Sequence, residues 1–200
     1  MSITVALTVF ALILPAELPD KTMVATIVLS TRFQPMPVWL GVVLGFAVQT
    51  AVAVAAGGAV SLLPSRLVHA VTAALFAVGA VLMLRGGEDI TEEEREFEAE
   101  LGDEPRRPTF RRELMTSFLV LFAAEWGDLS QILTANFAAK YGDPIAVFVG
   151  AWAALALVAA LGVAGGRTLV RVVPLVWVRR VAAVLFAAMA VVTAVEAARG

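Results

Sequence analysis

The chain has 200 residues, of which 60% are hydrophobic, and its mean hydropathy is +0.87. Soluble domains are typically about 45–50% apolar, so this excess indicates a membrane protein. The sequence has no cysteine and a single histidine, His69, which excludes disulfides, thiolate metal sites and histidine-rich metal chemistry.

A membrane-spanning helix needs about 20 mostly apolar residues, and six segments of the sequence meet this requirement. In chain order they are 3–30, 38–62, 67–85, 114–138, 144–166 and 178–198. Turn-forming stretches such as QPMP and YGDP separate neighbouring segments. The predicted fold is therefore all-α, a polytopic membrane protein with six transmembrane helices.

The polar parts of the chain divide these segments into two groups of three. The N-terminus has no basic region and no clear small-residue cleavage site, so we interpret the first segment as a retained helix. Ten of the 17 acidic residues fall between Glu88 and Glu104, and charge of this density is excluded from lipid. The predicted organisation is a first three-helix repeat (1–86), a charged linker (87–112) and a second three-helix repeat (113–200).

Lysine and arginine are distributed unequally between the two sets of loops. Eleven lie in or beside the loops that follow the first, third and fifth segments, and three lie on the opposite side. Because positive residues accumulate on the cytoplasmic side, the linker is predicted to be cytoplasmic and both termini outside. The short chain, rich in Ala, Val and Arg, is expected in a bacterial inner membrane.

The two halves also resemble each other in sequence. FALILPAELPDKTMVATIVLSTRF at 10–33 aligns with FLVLFAAEWGDLSQILTANFAAKY at 118–141, an offset of 108. The matched polar pairs are Glu17 with Glu125, Asp20 with Asp128, and Thr22 with Ser130. Because a repeat of three spans is odd in number, the second copy is predicted to insert upside down. Inverted repeats are typical of transporters, with a binding site near the membrane midplane.

Each copy places a glutamate and an aspartate three residues apart within an apolar segment. On a helix this spacing puts both carboxylates on one face. An ionised side chain there costs at least ~2.5–3.5 kcal/mol, so we expect the four carboxylates to face one another around a cation or protons. Hard oxygen ligands suit Ca²⁺, Mn²⁺ or Mg²⁺. The predicted metal-binding residues are Glu17, Asp20, Glu125 and Asp128.

The same carboxylates suggest how a cation is coupled to protons. Like charges held together in a medium of low dielectric favour protonation when the site is empty. A divalent cation then binds as those protons leave. A site open alternately to each side of the membrane would exchange cation for protons. No prosthetic group is expected, and the bound Mn²⁺ or Ca²⁺ is the transported ion.

Residues beside the two motifs fit a helix that is interrupted there. Pro19 lacks an N–H, and Gly127 loosens the backbone at the matching place. Lys21 lies four residues after Glu17 and can pair with its carboxylate, either as a gate or as a static counter-ion. Neutral side chains are expected to support the site: Thr22, Ser130 and Gln131 beside the motifs, and Gln49 along the pathway from the second segment.

The element Glu-x-Gly-Asp-[Lys/Arg]-[Thr/Ser], found twice in six spans around an acidic loop, resembles the signature of the GDT family of transmembrane protein 165-like exchangers. The resemblance covers essentially the whole chain. It implies a Mn²⁺ or Ca²⁺ transporter of the lysine-exporter superfamily that exchanges cation for protons, with ELPDKT and EWGDLS as its motifs. This chain departs from the signature at Pro19, in place of glycine, and at Leu129, in place of a basic residue. The two halves are therefore electrostatically unequal.

The leading hypothesis is a divalent cation/proton antiporter that exports Mn²⁺, with Ca²⁺ as the next candidate. An intramembrane aspartyl protease is an alternative, since paired aspartates can activate water, but its Gly-x-Gly-Asp element is absent. An organic-solute exporter of the lysine-exporter type is another, although four buried acids fit a metal cation better than an amino acid. Static polar packing between helices needs no carboxylates, because hydroxyls and amides provide it at lower cost.

The partners expected from these hypotheses are divalent cations, protons and the lipid bilayer. A transporter is expected rather than an enzyme, and no nucleic-acid partner is expected. The sequence leaves the oligomeric state open, with a homo-oligomer as one arrangement.

Overall fold

The computed structural model describes five stretches of the chain: residues 1–18, 21–60, 62–85, 109–172 and 175–199. Within them the chain forms eight helices and no strands. Their bounds are α1 Ile3–Glu17, α2 Lys21–Arg32, α3 Pro35–Val60, α4 Ser65–Arg85, α5 Phe110–Ala124, α6 Leu129–Tyr141, α7 Pro144–Val172 and α8 Leu175–Arg199. The all-α prediction is confirmed for these stretches, and most of the predicted linker lies outside them.

Local sequence signals explain where several of these helices begin and end. The Ser2 hydroxyl caps α1 by accepting a hydrogen bond from the Val5 N–H at 3.4 Å. Pro35 and Pro144 open α3 and α7, where the missing N–H of proline leaves no helical bond unmade. α6 ends at Gly142, whose φ of 61° is a left-handed conformation that glycine adopts without strain.

Two helices of the described structure are long and apolar enough to cross a membrane on their own, α3 and the part of α7 over Pro144–Gly165. α1 with α2, and α5 with α6, form two bent pairs that each meet the same test together, which gives up to four spans. α4 and α8 contain shorter apolar stretches, Arg66–Val81 and Ala183–Ala198. The helices are those of a membrane protein, and the count of six spans stays a prediction.

The helices of one half pack mainly on helices of the other half. α3 contacts α5 and α6, whereas α7 contacts α1 and α2, and α3 and α7 also contact each other. α4 packs along α8. The two bent pairs touch where α1 meets α6 and where α2 meets α5. The contacts of the long helices with the bent pairs are thus repeated with the halves exchanged.

Each long helix also makes a close backbone contact with a bent pair of the opposite half. A Cβ atom on Gly41 of α3 would overlap the carbonyl oxygen of Leu114 in α5. A Cβ atom on Gly150 of α7 would overlap the carbonyl oxygen of Ala6 in α1. Small residues allow helices to approach this closely in membranes. Both bent pairs are therefore held tightly against the long helix of the opposite half.

Two tryptophans join α3 to α7 by reciprocal hydrogen bonds. Trp39 Nε1 donates to the carbonyl oxygen of Ala156 at 3.2 Å, and Trp152 Nε1 donates to that of Val43 at 3.0 Å. Each bond runs from one long helix to the backbone of the other. The two bonds therefore fix the long helices of the two halves against each other.

A cluster of fully buried phenylalanines joins α6 to α4 and α8. The ring centroid of Phe76 lies 5.7 Å from that of Phe137 and 5.6 Å from that of Phe186. Aromatic pairs at these separations stabilise a core beyond the area they bury. α6 is thereby packed on α4, which in turn packs on α8, while α3 contacts α6 as well.

Candidate functional site

The second acidic motif, residues 125–128, interrupts the backbone between α5 and α6. Glu125 is the C-cap of α5, with φ −95° and ψ 8°, and Asp128 is the N-cap of α6. The Asp128 carboxylate accepts a hydrogen bond from the Ser130 N–H at 3.1 Å. The expectation that Glu125 and Asp128 share one face of a helix is therefore wrong for this motif, because the residues between them are not helical.

The interruption is centred on Gly127, whose φ is 84°. Residues with a Cβ atom rarely adopt this left-handed conformation, whereas glycine does so without steric cost. α5 and α6 are consequently bent by 76° relative to each other. The predicted interruption at Gly127 is confirmed.

The first motif lies between α1 and α2, which are bent by 69° relative to each other. Glu17 ends α1, and its side chain is 1% exposed. Pro19, Asp20 and the side chain of Lys21 lie outside the described structure, so their predicted roles stay predictions. Thr22 is fully buried, and its hydroxyl has no hydrogen-bond partner among the described residues. A buried polar group in this state costs ~1–3 kcal/mol, which makes the hydroxyl a candidate ligand.

A small cavity lies beside the second motif, between α3, α6 and α7. It has about 10 Å³ of space for the centre of a water-sized sphere, which corresponds to one water molecule. Six polar and two apolar residues line it: Gln49, Thr50, Glu125, Ser130, Gln131, Thr134, Phe46 and Leu155. The structure thus brings four of the predicted site residues together, whereas Glu17 and Asp128 are not part of this lining.

Two polar cavity residues, Thr50 and Thr134, were not predicted from the sequence. Each is 3% exposed. Thr134 follows Ser130 by about one helical turn, so the helical period would have identified it. Thr50 follows the predicted Gln49 directly, and successive residues of a helix do not share a face, so no periodic signal marked it.

Side-chain amides satisfy backbone groups that the second break exposes. Gln49 Nε2 of α3 donates a hydrogen bond to the carbonyl oxygen of Phe122 at 2.9 Å. Gln131 Oε1 accepts a hydrogen bond from the Gly127 N–H at 2.8 Å. In a bilayer such groups must find partners within the protein, because no water is present to bond them.

One hydrogen bond next to the motifs occurs in both halves. The Thr26 hydroxyl donates to the carbonyl oxygen of Thr22 at 2.8 Å, and the Thr134 hydroxyl donates to that of Ser130 at 2.7 Å. All four residues are buried. The first turns of α2 and α6 therefore share their local structure as well as their place in the repeat.

The side chains around the cavity offer oxygen atoms as metal ligands, from one carboxylate, from hydroxyls and from amides. Such a set fits a hard divalent cation such as Mn²⁺ or Ca²⁺. Within the described part of the chain, no three His, Cys, Asp or Glu side chains group closely enough to hold a metal ion. The four-carboxylate site, which requires Asp20, stays a prediction.

A carboxylate at each end of the bundle accepts a hydrogen bond from a backbone N–H group of the opposite half. Asp143 accepts hydrogen bonds from Ser2 N–H at 2.6 Å and Ala146 N–H at 3.1 Å, and these bonds hold the pKa of Asp143 below its usual value. At the other end Glu113, which is 4% exposed, accepts one from Gln34 N–H at 3.3 Å. The first residues of the chain thus lie beside the α6–α7 loop.

Comparison with known proteins gives a consistent result. A family model described as "Divalent cation/proton antiporter GDT1" matches residues 5–91 and 113–200. GDT1-like protein sll0615 of Synechocystis is 30% identical over 165 residues, covering 78% of this chain and 80% of the relative. GDT1-like protein 5 of Oryza sativa is 30% identical over 182 residues, covering 77% and 78%. No solved structure gives a significant match.

Proposed function

The chain belongs to the GDT1 family of divalent cation/proton antiporters, and we propose that it exports Mn²⁺ or Ca²⁺ from the cytoplasm in exchange for protons. The proposal rests chiefly on the cavity that Glu125 lines at a helix break, in a chain whose other half has a bend and the buried Glu17 at the matching place. Broken helices at the contact between repeats are where secondary transporters bind their ions.

The proposed cation site consists of the carboxylates of Glu17, Asp20, Glu125 and Asp128. Burial supports this set, since the side chains of Glu17 and Glu125 are 1% and 3% exposed. An ionised carboxylate within the membrane costs at least ~2.5–3.5 kcal/mol, so a bound cation is the partner that explains several of them. α1, which ends at the first motif, and α6, which begins after the second, are in contact, and this supports a shared site.

Neutral oxygens complete the proposed coordination. Ser130 lines the cavity, and the Thr22 hydroxyl is buried without a hydrogen-bond partner among the described residues. The cavity has room for one water-sized species, which suits one cation that has lost most of its hydration shell. Ca²⁺ takes six to eight oxygen ligands, a number that four carboxylates and these neighbours can supply.

Protons share the same carboxylates in the proposed exchange. Carboxylates that lie close together in a medium of low dielectric repel one another when ionised, so protons neutralise them in the absence of cation. Binding of the cation then releases these protons. Lys21 supplies a positive charge to the first motif only, since Leu129 occupies the matching position of the second. We assign one shared cation to the two unequal motifs.

The proposed topology is six transmembrane spans arranged as two inverted repeats in a bacterial inner membrane. The exchanged contacts between the halves and the excess of Lys and Arg in one set of loops support it. The charged linker is then cytoplasmic and both termini are outside.

Reconstitution into liposomes that contain a trapped pH indicator tests the proposed function. A gradient of Mn²⁺ or Ca²⁺ is expected to drive protons in the opposite direction. Asp20→Asn and Asp128→Asn are expected to abolish this flux, because each removes one charge from the shared site. Asp143→Asn, at an exposed end of the bundle, is the matched control and should retain it.

The outcomes separate the function from its site. Normal flux in both aspartate variants would contradict the four-carboxylate site while leaving antiport intact. No flux with any divalent cation, together with cleavage of a membrane peptide, would favour the aspartyl protease.

A further inference from the structure

At the end of α5 the backbone carbonyl of Phe122 lacks its helical partner. In a continuous helix the Phe122 carbonyl oxygen would accept the Trp126 N–H. Here the Trp126 N–H bonds the Ala123 carbonyl oxygen at 3.4 Å instead, because the helix ends at Ala124. Gln49 of α3 takes the vacated place, with Nε2 at 2.9 Å from the Phe122 oxygen.

Gln49 is placed to act on the motif through this bond. It is 5% exposed and lines the same cavity as Glu125. The carbonyl that it holds belongs to the last turn of α5, and Glu125 caps that turn. Fixing this turn against α3 therefore fixes the direction from which the Glu125 side chain enters the cavity.

The first half has no amide at the corresponding places. By the sequence repeat, Gln49 of α3 corresponds to Leu157 or Val158 of α7, and Gln131 of α6 corresponds to Met23 of α2. The amide contacts are therefore specific to the second motif. A purely structural need, common to both breaks, would place similar side chains in both halves.

We propose that Gln49 is a positioning residue for the cation site: its Nε2 anchors the Phe122 carbonyl and so holds Glu125 against the cavity. Gln131 assists from the other side of the break by accepting the Gly127 N–H at 2.8 Å. This inference rests on the proposed function for its effect on transport, but the anchoring of the break does not depend on it. A direct ligand would act through its oxygen, whereas the positioning role belongs to the N–H group.

Gln49→Glu separates the two roles, since it keeps the shape and the oxygens but removes the N–H donors. If Gln49 positions Glu125, the KM of Gln49→Glu for Mn²⁺ should rise about tenfold or more near neutral pH. A loss of metal affinity of this size is typical when an outer-shell partner is removed. The defect should shrink as pH falls, because a protonated carboxyl can again donate to the Phe122 oxygen. Asn136→Asp is the matched control: Asn136 is a buried amide that donates to the Ile132 carbonyl at 2.8 Å and does not line the cavity.

A lower KM for Mn²⁺ in Gln49→Glu, or an equal rise in Asn136→Asp, would overturn the positioning role. A second measurement needs no transport. Hydrogen exchange across residues 122–131 should be at least about tenfold faster in Gln49→Leu than in the unmodified protein, since an anchored turn opens less often. Unchanged exchange there would overturn the proposal even if antiport is intact. Absence of cation-coupled flux in the unmodified protein would contradict the proposed function alone.

Discussion

The two bent helix pairs share a hydrogen bond in the turn after each motif but differ in their surroundings. The second motif lies beside Gln49 and Thr50 of α3, which line its cavity. The corresponding part of α7 is apolar, with Leu157 and Val158, and Val158 packs on Met23 directly after the first motif. One motif therefore faces a polar wall and the other an apolar wall.

This difference shows that a repeated motif does not by itself make two equal sites. The motif supplies the carboxylates and the break, but the helix packed across from it decides how many neutral ligands and backbone partners are available. The second half combines a buried glutamate with a polar cavity. In the proposed site the shared cation is then held mainly by the second motif, with its charge balanced by the first.

The largest expected effect comes from neutralising either glutamate. Glu125→Gln and Glu17→Gln should each reduce the initial rate of Mn²⁺-driven proton flux about 100-fold or more, beyond the ~10–100-fold typical of outer-shell partners. Glu113→Gln is the matched control, since Glu113 is equally buried but lies at the end of the bundle. A comparable loss in the control would show that any buried glutamate has this effect.

The close contacts of the two long helices should be equivalent. Gly41→Ala and Gly150→Ala each place a Cβ atom against a backbone oxygen of the opposite half, so each should destabilise the protein by about 1–3 kcal/mol. Thermal unfolding in detergent measures this loss. Gly58→Ala is the control, because a Cβ atom there meets nothing within 4 Å. Destabilisation by only one of the pair would break the proposed equivalence of the halves.

The backbone of the second break should depend on glycine. Gly127→Ala forces a Cβ atom into the left-handed region at φ 84°, at a cost of roughly 1–2 kcal/mol in the free energy of unfolding. Gly127→Asn should cost less, since asparagine tolerates this region. Equal thermal stability of all three proteins would mean that the break does not require its observed conformation.

The smallest expected effect concerns the end of the bundle. Because the folded pKa of Asp143 is below its usual value of 3.8, its contribution to stability is present above that pH and is lost as pH falls through the lowered pKa. Asp143→Asn should therefore lower the melting temperature slightly near neutral pH. The difference should disappear in strong acid. A difference that is constant across this range would exclude the carboxylate charge as its cause.

Much of the helical framework could be predicted from the sequence, because apolar length and turn residues are local signals. Helices occur in each of the six predicted segments, and the interruption at Gly127 was expected from glycine alone. The expectation of a shared helical face for Glu125 and Asp128 failed because a spacing rule for helices was applied to residues that lie in a break.

The partners across the bundle could not be predicted in the same way. The bond from Gln49 to the Phe122 carbonyl and the reciprocal tryptophan bonds join residues far apart in the chain. Periodicity indicates which face of a helix is buried, but it does not identify the helix that covers that face. Thr50 was missed because it follows Gln49 directly, and successive residues of a helix do not share a face.

Counting the divalent cations bound to each chain tests the shared site most directly. Titration of the purified protein with Mn²⁺ in buffers of different ionisation enthalpy gives both the number of ions bound and the protons released. A shared site predicts one ion per chain with release of protons, and loss of that ion in Glu17→Gln as well as in Glu125→Gln. Two ions per chain, or one ion retained in either variant, would contradict it.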